Sequence, residues 1–535
     1  MGRSGLPHGC RCACDHVWGC AVVPAWNVVE RPCLMVLLRE DAQPEELESV
    51  LPGAQPGDRV WVGLRSALLG AHLIADLEVM NPAVESVLRR LLTALAVRIG
   101  GLDVGGREEW EERFDELLAG GRFDPGAVNS YFDRWLQRFD LFDGQRPFMQ
   151  DPRLADECSR QAPPGRLVMP RPSGANQPWL DRTPQDDPVP AAEALGWLLA
   201  WRGYGPSGLG AQRHHAGVDS KNMKAAPLRA LVSFHPRGES LFVSLVLSCP
   251  PPLGGEVLGS DLAPWERSEL EDPLVPAAVS GPVSLLVGRA THHVLLAASG
   301  DGAEVTGCWV AWGSRVDLPA ARDPFVIDRA KGGPVRASWR RQLLRDFDAF
   351  LHARDPAAAG IKGQVLPVWL SVFADLPPDV LAALADVRVR ALGCHQEKQD
   401  RDEQWFGVTT PASIAPFLPS RHPGRAARVA QCRLGAELAA SDMAKALRGA
   451  WKELAPGEKE CGWADAATSE FWDRADSMFW SAIGEDGTGL PAFRTLGLEI
   501  FDSVTREAAS SPQGLLPVAR ARSSFTHPRS GRKKS

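Results

Sequence analysis

Apolar residues recur at helical spacing in several stretches of the 535-residue chain. The clearest begins at Asn81, a helix-capping residue, followed by Pro82, whose fixed φ suits the first helical position. Val84, Val87, Leu88, Leu91, Leu92 and Leu95 then line one face, and Gly100-Gly101 closes the run. This spacing predicts a core helix. A second run from Tyr131, YFDRWLQRFDLFD, puts Trp135, Phe139 and Phe142 on one stripe and ends at Gly144. From Asp151 to Pro190 the chain is dense in Pro, Gly, Arg and Asp and reads as loop. A helix is expected over about 191–202, then the Gly-rich stretch Gly203–Gly210. Val- and Leu-rich WNVVERPCLMVLL at Trp26–Leu38 predicts a first strand or hairpin, and VSLLVG, HHVLLAA and TGCWVAW within 277–315 predict strands. Helical periodicity returns at about 425–453, 462–484 and 491–509, with stripes that include Phe471, Phe479, Ile483, Phe493, Ile500 and Phe501. With one more short helix at 411–419 or 440–453, these make an antiparallel four-helix bundle. The expected fold is α+β: a leader over 1–24 outside the fold, a large mixed N-terminal domain over 25–405, the bundle over 406–511, and a disordered basic tail over 512–535.

Composition narrows the function classes. With 44% hydrophobic and 23% charged residues the chain is globular, neither disordered nor collagen-like. No window offers the roughly 18 apolar residues of a spanning helix. A net charge of -7 speaks against coating by nucleic acid through bulk charge but permits a local basic surface. Such a surface is encoded between Arg202 and Arg237, where Arg213, Lys221 and Lys224 accompany other basic residues against the single acid Asp219. The tail is basic too: Arg520, Arg522, Arg529, Arg532, Lys533 and Lys534 follow Pro512 without an acid. With only 2 Tyr, repeated tyrosine stacking platforms are ruled out.

Catalytic motifs are wanting. No G-x(4)-G-K-[ST] sequence supports nucleotide hydrolysis. GPSGLGAQR misses a nucleophile elbow at Leu209 and a dinucleotide fingerprint at Arg213. His214-His215 and His292-His293 are adjacent pairs, which a strand points to opposite faces, so they are read as surface or satisfied structural histidines. Cys10, Cys12, Cys14 and Cys20 crowd the leader with His8 and His16, but C-x-C-x-C spacing strains a shared metal. The leader lacks the apolar h-region of a secretory signal. The other cysteines, scattered singly, read as buried small hydrophobes in a reducing cytoplasm. What remains is a glycine loop with basic flanks, whose missing Cβ atoms admit a nucleic-acid surface; a solvent loop with an idle charge excess is the alternative.

The stretch NSYFDRWLQRFDLFDGQRPFMQ at Asn129–Gln150 resembles the signature of the CasA family, the large subunit of the type I-E CRISPR Cascade complex. WNVVERP at Trp26–Pro32, with Cys33 where a Trp is usual, resembles the family's opening strand. NPAVESVLRRLLTALAVRIGG, PSGANQPWLDRTP, GYGPSGLG and WRRQLLRDFDAFL resemble further landmarks in order, so the likeness covers about residues 25–510. It implies a non-catalytic, cytoplasmic, antiviral subunit without cofactor. Its partners would be a guide RNA (crRNA), the other Cascade subunits, double-stranded target DNA and a helicase–nuclease, with no membrane. By the same resemblance, Ser207, Gly208, Leu209 and Gly210 enter the minor groove beside the protospacer-adjacent motif, and Arg315 is the basic strand residue that touches it. Arg213, Lys221 and Lys224 add DNA contacts. Trp179, with Asn176 and Arg182, meets the 5′ handle of the guide. Gln399, flanked by Lys398, or else Gln396, is the wedge that separates strands and starts the R-loop; Glu397, Lys398, Asp400 and Arg401 make this hairpin unusually charged. Some members carry a zinc-binding Cys pair after the P-F-M-Q motif; only Cys158 lies there, so no zinc is expected. A minor-groove loop reads shape and the guanine amino group, a tolerant code that suits a sensor leaving sequence to RNA–DNA pairing. The competing readings are a metal-dependent nuclease or hydrolase using the histidine pairs or the Cys-rich leader, and a purely structural scaffold.

Overall fold

The helix expected at Asn81 spans Pro82–Ile99 (α1), and its cap is made: Asn81 Oδ1 accepts from the backbone N–H of Ala83 at 3.0 Å and of Val84 at 3.3 Å. The computed structural model describes residues 25–171, 183–254, 259–275, 278–329, 331, 333–338, 342–353, 364–396, 402–458, 460–484 and 492–527. The leader with its four cysteines lies outside them. Nearly all of α1 is buried, charged residues included. Three antiparallel strands, Leu34–Leu38 (β1), Arg59–Val62 (β2) and Ile74–Leu77 (β3), form a sheet with β1 central. Within the expected first strand only Leu34–Leu38 is extended; Val29 N–H donates to Asn27 Oδ1, which turns the preceding residues. Buried ion pairs lash α1 to its surroundings. Arg89 bridges Asp76 of β3 and Glu85, and Glu85 accepts twice from Arg390 at 3.1 and 2.7 Å. Arg90 grips Asp323 at 2.6 and 2.9 Å.

The second predicted run is displaced and cut short. Its helix is Pro125–Trp135 (α2), begun by an Asp124 cap on Ala127 N–H at 2.7 Å. A single 3-10 turn follows, and Asp140 ends it by accepting from the N–H groups of Trp26 and Phe142, both at 3.0 Å. Phe139 is thereby turned inward to stack on Phe148 at 4.6 Å and meet Trp265 at 5.4 Å.

Further along, Ala191–Tyr204 (α3) packs on α1, ahead of the strands Gly208–His215 (β4), Val218–Met223 (β5) and Val232–Arg237 (β6) and the buried helix Leu241–Ser248 (α4). VSLLVG is no strand. Pro282–Val287 is a short helix (α5), because Asp261, 22 residues before Val283, caps it: its two carboxylate oxygens accept from Val283 and Ser284 N–H at 2.8 Å each. The other two segments of that region do pair, as His292–Ala298 (β7) and Glu304–Trp312 (β8). The helix Leu344–Leu351 (α6) precedes Arg388–Gln396 (β9) and Asp402–Thr409 (β10); β9 lies between β6 and β10, all antiparallel.

Four helices end the described residues: Pro423–Leu454 (α7), Gly462–Gly484 (α8), Phe493–Ala509 (α9) and Leu515–Thr526 (α10). The last corrects the expectation of a disordered tail from 512, while 411–419 supplies only a 3-10 turn and 440–453 belongs to α7. Val518, Ala521 and Phe525 recur at helical spacing and are buried; the Phe525 ring stacks on Phe501 at 6.4 Å. The acids that the tail lacks lie on its neighbours, Asp502 for Arg522 at 2.7 Å and Glu453 for Arg520 at 3.5 Å. One apolar core runs from Val28 through to Phe525, with Phe347 of α6 meeting Trp480 of α8 at 4.9 Å. The fold is thus mixed α+β. No helix among the described residues is long and apolar enough to cross a membrane.

Candidate nucleic-acid interface

The glycine stretch is the leading strand of a hairpin. β4 and β5 pair antiparallel around Ala216-Gly217, with φ of 46° and 83°, the pair of positive values that matches a two-residue turn to strand twist. Between the pairs Leu209↔Asn222 and Arg213↔Ser220, three residues of β4 face Lys221 alone, so β4 bulges. Gly210 sits in that bulge because nothing larger fits: a Cβ there would lie 2.7 Å from the Val310 carbonyl oxygen and 2.6 Å from Met223 Sδ. Gly208 is glycine for another reason, a φ of +136° in open space. Beside it, Leu209 is 59% exposed and Ser207 is exposed. The hairpin thus offers solvent a small, mostly uncharged edge at Ser207–Leu209.

Three groups hold this edge in place. Arg166 Nη2 donates to the Leu209 carbonyl at 3.2 Å. His292 Nε2 lies 3.0 Å from the Pro206 carbonyl, and burial lowers the ring's pKa to about 4, so the neutral ring donates from Nε2 at pH 7. Trp312, the last residue of β8, donates to the Ser220 carbonyl at 3.0 Å.

Of the four basic residues expected on DNA, Arg315 is half-buried and donates to the Asn222 carbonyl at 3.2 Å, its guanidinium 5.6 Å from the centre of the Trp312 ring. Lys221 is exposed in the bulge region. Lys224 pairs with Asp317 at 2.7 Å at the surface, a contact worth little in water. Arg213 is the correction. It is 0% exposed and cannot touch DNA. Its guanidinium donates to Asp151 at 2.8 Å, to Glu157 at 2.6 Å and to the Trp312 carbonyl at 2.8 Å. Counting charge along the chain missed this, because the two carboxylates lie 62 and 56 residues upstream.

Asp151 is the centre of that network. Besides Arg213 it takes Arg153 at 2.8 Å and His293 at 2.7 Å. Burial pushes its carboxyl up, but the hydrogen bonds from His293 and Arg153 and the charge of Arg213 outweigh burial and hold it well below the usual carboxylate range. Gln150, just before it, is buried: Nε2 donates to the Leu141 carbonyl and Oε1 accepts from Leu296 N–H, both at 2.8 Å. The Phe-Met-Gln stretch is therefore an internal clamp between the segment after α2 and β7 that positions Asp151, which in turn sets the hairpin through Arg213. The histidine pairs are similarly committed, His293 to Asp151, His292 to Pro206 and His215 to Glu157 at 2.7 Å, while His214 is exposed. Among the described residues no group of three His, Cys, Asp or Glu is placed to hold a metal ion.

Trp179, Asn176 and Arg182 lie outside the described residues, as do Gln399 and Lys398. Their flanks are placed. Gln396 ends β9, half-buried, where the register with β10 shifts. Val168, Pro170 and Arg171, at the start of the predicted guide loop, share one cleft with Arg390, Trp405 and Gly407 of the β9–β10 hairpin and Trp197 of α3. Arg166, in the same stretch of chain, reaches the glycine hairpin. The chain leading into the predicted guide loop thus touches both the glycine hairpin and the β9–β10 hairpin.

A sequence model of the family described as CRISPR-associated protein Cse1 matches residues 50–491. The CRISPR-associated protein CasA/Cse1 of Thermus thermophilus is 32% identical over 320 residues, 57% of this chain and 59% of that protein, so the alignment spans less than two thirds of the curated relative. A solved chain described as part of a CRISPR RNA-guided surveillance complex is 34% identical with a TM-score of 0.81, over 94% of this chain and 100% of that one. Cse1 from Acidimicrobium ferrooxidans, 22% identical with a TM-score of 0.68 over 94% of this chain and 99% of its own, shares the fold.

Proposed function

The chain belongs to the CRISPR-associated Cse1 family, and from that premise we propose that it is the non-catalytic large subunit of a cytoplasmic RNA-guided surveillance complex that inspects duplex DNA. The observation that carries this reading is the likeness over nearly the whole chain, at 34% identity, to a chain of a CRISPR RNA-guided surveillance complex. Co-expression with a guide RNA and the partner subunits tests it: a stoichiometric ribonucleoprotein is expected, and a chain that elutes alone, free of RNA, overturns it.

Within that role, the exposed Ser207–Leu209 edge reads the protospacer-adjacent motif from the minor groove. Its small size supports this, since a backbone without bulky side chains reaches a narrow groove floor. Arg315 and Lys221, with Lys224 once released from Asp317, neutralise flanking phosphates. The C-terminal helices act as a four-helix bundle beside this body, and the assembled subunit recruits the helicase–nuclease. The nuclease and scaffold readings have less support, since the paired histidines other than exposed His214 are bonded within the fold and the hairpin edge is built open.

Two residues outside the described ones carry roles taken from the family resemblance. Trp179, with Asn176 and Arg182, stacks on the guide handle, and a lost stacking contact costs roughly 1–3 kcal/mol. Trp179→Ala is therefore expected to loosen the subunit from the guide-bearing complex about tenfold to a hundredfold, read by co-elution at nanomolar concentration; unaltered co-elution counts against it. Gln399, beside Lys398, takes the place of a displaced base, which costs a few kcal/mol to unstack. Gln399→Ala should slow R-loop formation on linear duplex yet recover on DNA carrying a pre-opened bubble beside the motif. A defect in Gln396→Ala instead would move the wedge to the end of β9.

A further inference from the structure

Arg202, near the end of α3, is buried, yet its Nε and Nη2 have no hydrogen-bond partner and Nη1 reaches the Met149 carbonyl only at 3.5 Å. A guanidinium out of water without an ion-pair partner is a costly arrangement, and the more distant charges of Glu271 and Asp151 do not outweigh its burial. Burial accordingly pushes its pKa below the ordinary arginine value. Met149, whose carbonyl it faces, has a φ of 58°, a strained conformation for a side chain of that size. Arg202 lines a cavity of about 50 Å³ that Arg138, Arg146 and Arg153 also border.

Charge in this cavity is unbalanced. Asp151 is answered by Arg153, Arg213 and His293, and Glu271 by Arg267 at 2.7 Å. Glu269, a further wall residue, is exposed to solvent. Arg146 donates only to carbonyls, those of Ser268 at 2.6 Å and Arg267 at 3.0 Å. Among the described residues no carboxylate stands within ion-pair distance of Arg138, Arg146 or Arg202. Three guanidinium groups thus border one small space without a direct ion pair, although the carboxylates of Asp151, Glu269 and Glu271 also line it. At roughly 10–15 Å³ per water on this measure, the space suits about four such groups, the size of a tetrahedral oxyanion.

We propose that this cavity binds one phosphoryl-type oxyanion, with Arg202 at its base and Arg138 and Arg146 as flanking donors. The chemistry is the same whether a phosphodiester of a bound strand or free inorganic phosphate supplies it. The cavity adjoins the network behind the glycine hairpin, since Asp151 and His293 belong to both.

Calorimetric titration of the full chain with inorganic phosphate, at ionic strength held constant with chloride, tests the assignment. Saturable binding to one site is expected. Arg202→Met, close in volume but uncharged, should weaken it at least about tenfold, as befits one or more charge-assisted hydrogen bonds. It should also raise the thermal unfolding temperature in phosphate-free buffer, since an unanswered buried charge is gone. Arg138→Met, at a less buried position, should weaken binding too and decides the matter if Arg202→Met does not fold. Displacement of phosphate by a short single-stranded RNA identifies the strand as the source, and failure to displace identifies the free ion. Absence of phosphate binding to the unaltered chain, or binding by both variants as tight as by the unaltered chain, overturns the proposal.

Discussion

Gly210→Asp is expected to cut affinity for motif-bearing duplex DNA by at least about a hundredfold, a loss of roughly 3 kcal/mol or more, while assembly on the guide RNA survives. The loss originates in the β4 bulge. A Cβ at Gly210 would stand 2.7 Å from the Val310 carbonyl oxygen, which is fixed in β8 by its strand pairing with β7 and cannot yield. The bulge must lift, taking Leu209 with it, and a carboxylate then points at a carbonyl and at the phosphates of any duplex. Gly208→Asp separates the two effects. There the added side chain meets open space, so its penalties are backbone strain at φ +136° and repulsion from phosphate. Repulsion is screened by salt and misplacement is not. Between about 50 and 200 mM salt, the Gly208→Asp defect should shrink relative to wild type and the Gly210→Asp defect should persist. Unchanged binding by both variants would remove the hairpin from the DNA interface.

Arg213→Met should be the most destabilising single change in the N-terminal part. It strips Asp151 and Glu157 of their shared cation and leaves the Trp312 carbonyl without a donor. Breaking a buried ion pair from one side costs about 3–5 kcal/mol. Thermal unfolding should fall by several degrees at pH 7, and duplex binding should fall with it, because β4 loses its tie to β8. The pH response gives a second reading. The native Asp151 carboxyl is held below its ordinary value of 3.8, so its contribution is complete above about pH 4 and is lost as pH drops through the depressed native value. Without Arg213 that depression is smaller, so acid costs the variant less, and the gap to wild type should narrow below about pH 4. A variant with wild-type unfolding at both pH values would mean the network is not under load.

What could be read from sequence followed from how far apart the cooperating residues lie. Asn81 and Pro82 sit beside the helix they start, so α1 was legible in a window of about twenty residues. The cap of α5 is Asp261, outside any such window, and Val283, Leu285 and Leu286 taken alone look like a strand. Arg213 illustrates the same limit for charge: its neighbours along the chain are basic, its neighbours in space are acidic. α10 was hidden differently. Arg and Lys without a nearby acid in sequence suggested a free tail, although Val518, Ala521 and Phe525 already had helical spacing. The glycine stretch was found by composition, but the distinct reasons for Gly208 and Gly210 needed the positions of Val310 and Met223. The Phe-Met-Gln stretch was recognisable as a signature, and only the fold shows why it is one: it is buried, and it carries Asp151 to the back of the hairpin.

The placement of Phe525 also bears on how the chain is made. Its ring lies against Phe501 and beneath the Arg494 guanidinium, 5.1 Å away, and α10 covers part of α7. Roughly 70 residues separate the end of α7 from Phe525, which at ribosomal rates of about 5–20 residues per second is about 4–14 seconds of synthesis. For that interval α7 has been made but lacks its last covering helix, so the part of its alanine-rich apolar stripe that α10 covers is open to water and to other nascent chains. The body built around α1 can meanwhile complete its own packing. The C-terminal helices are thus the segment in which a newly made chain most needs shelter, and the covering it awaits comes from the one helix of the four that carries no acidic residue.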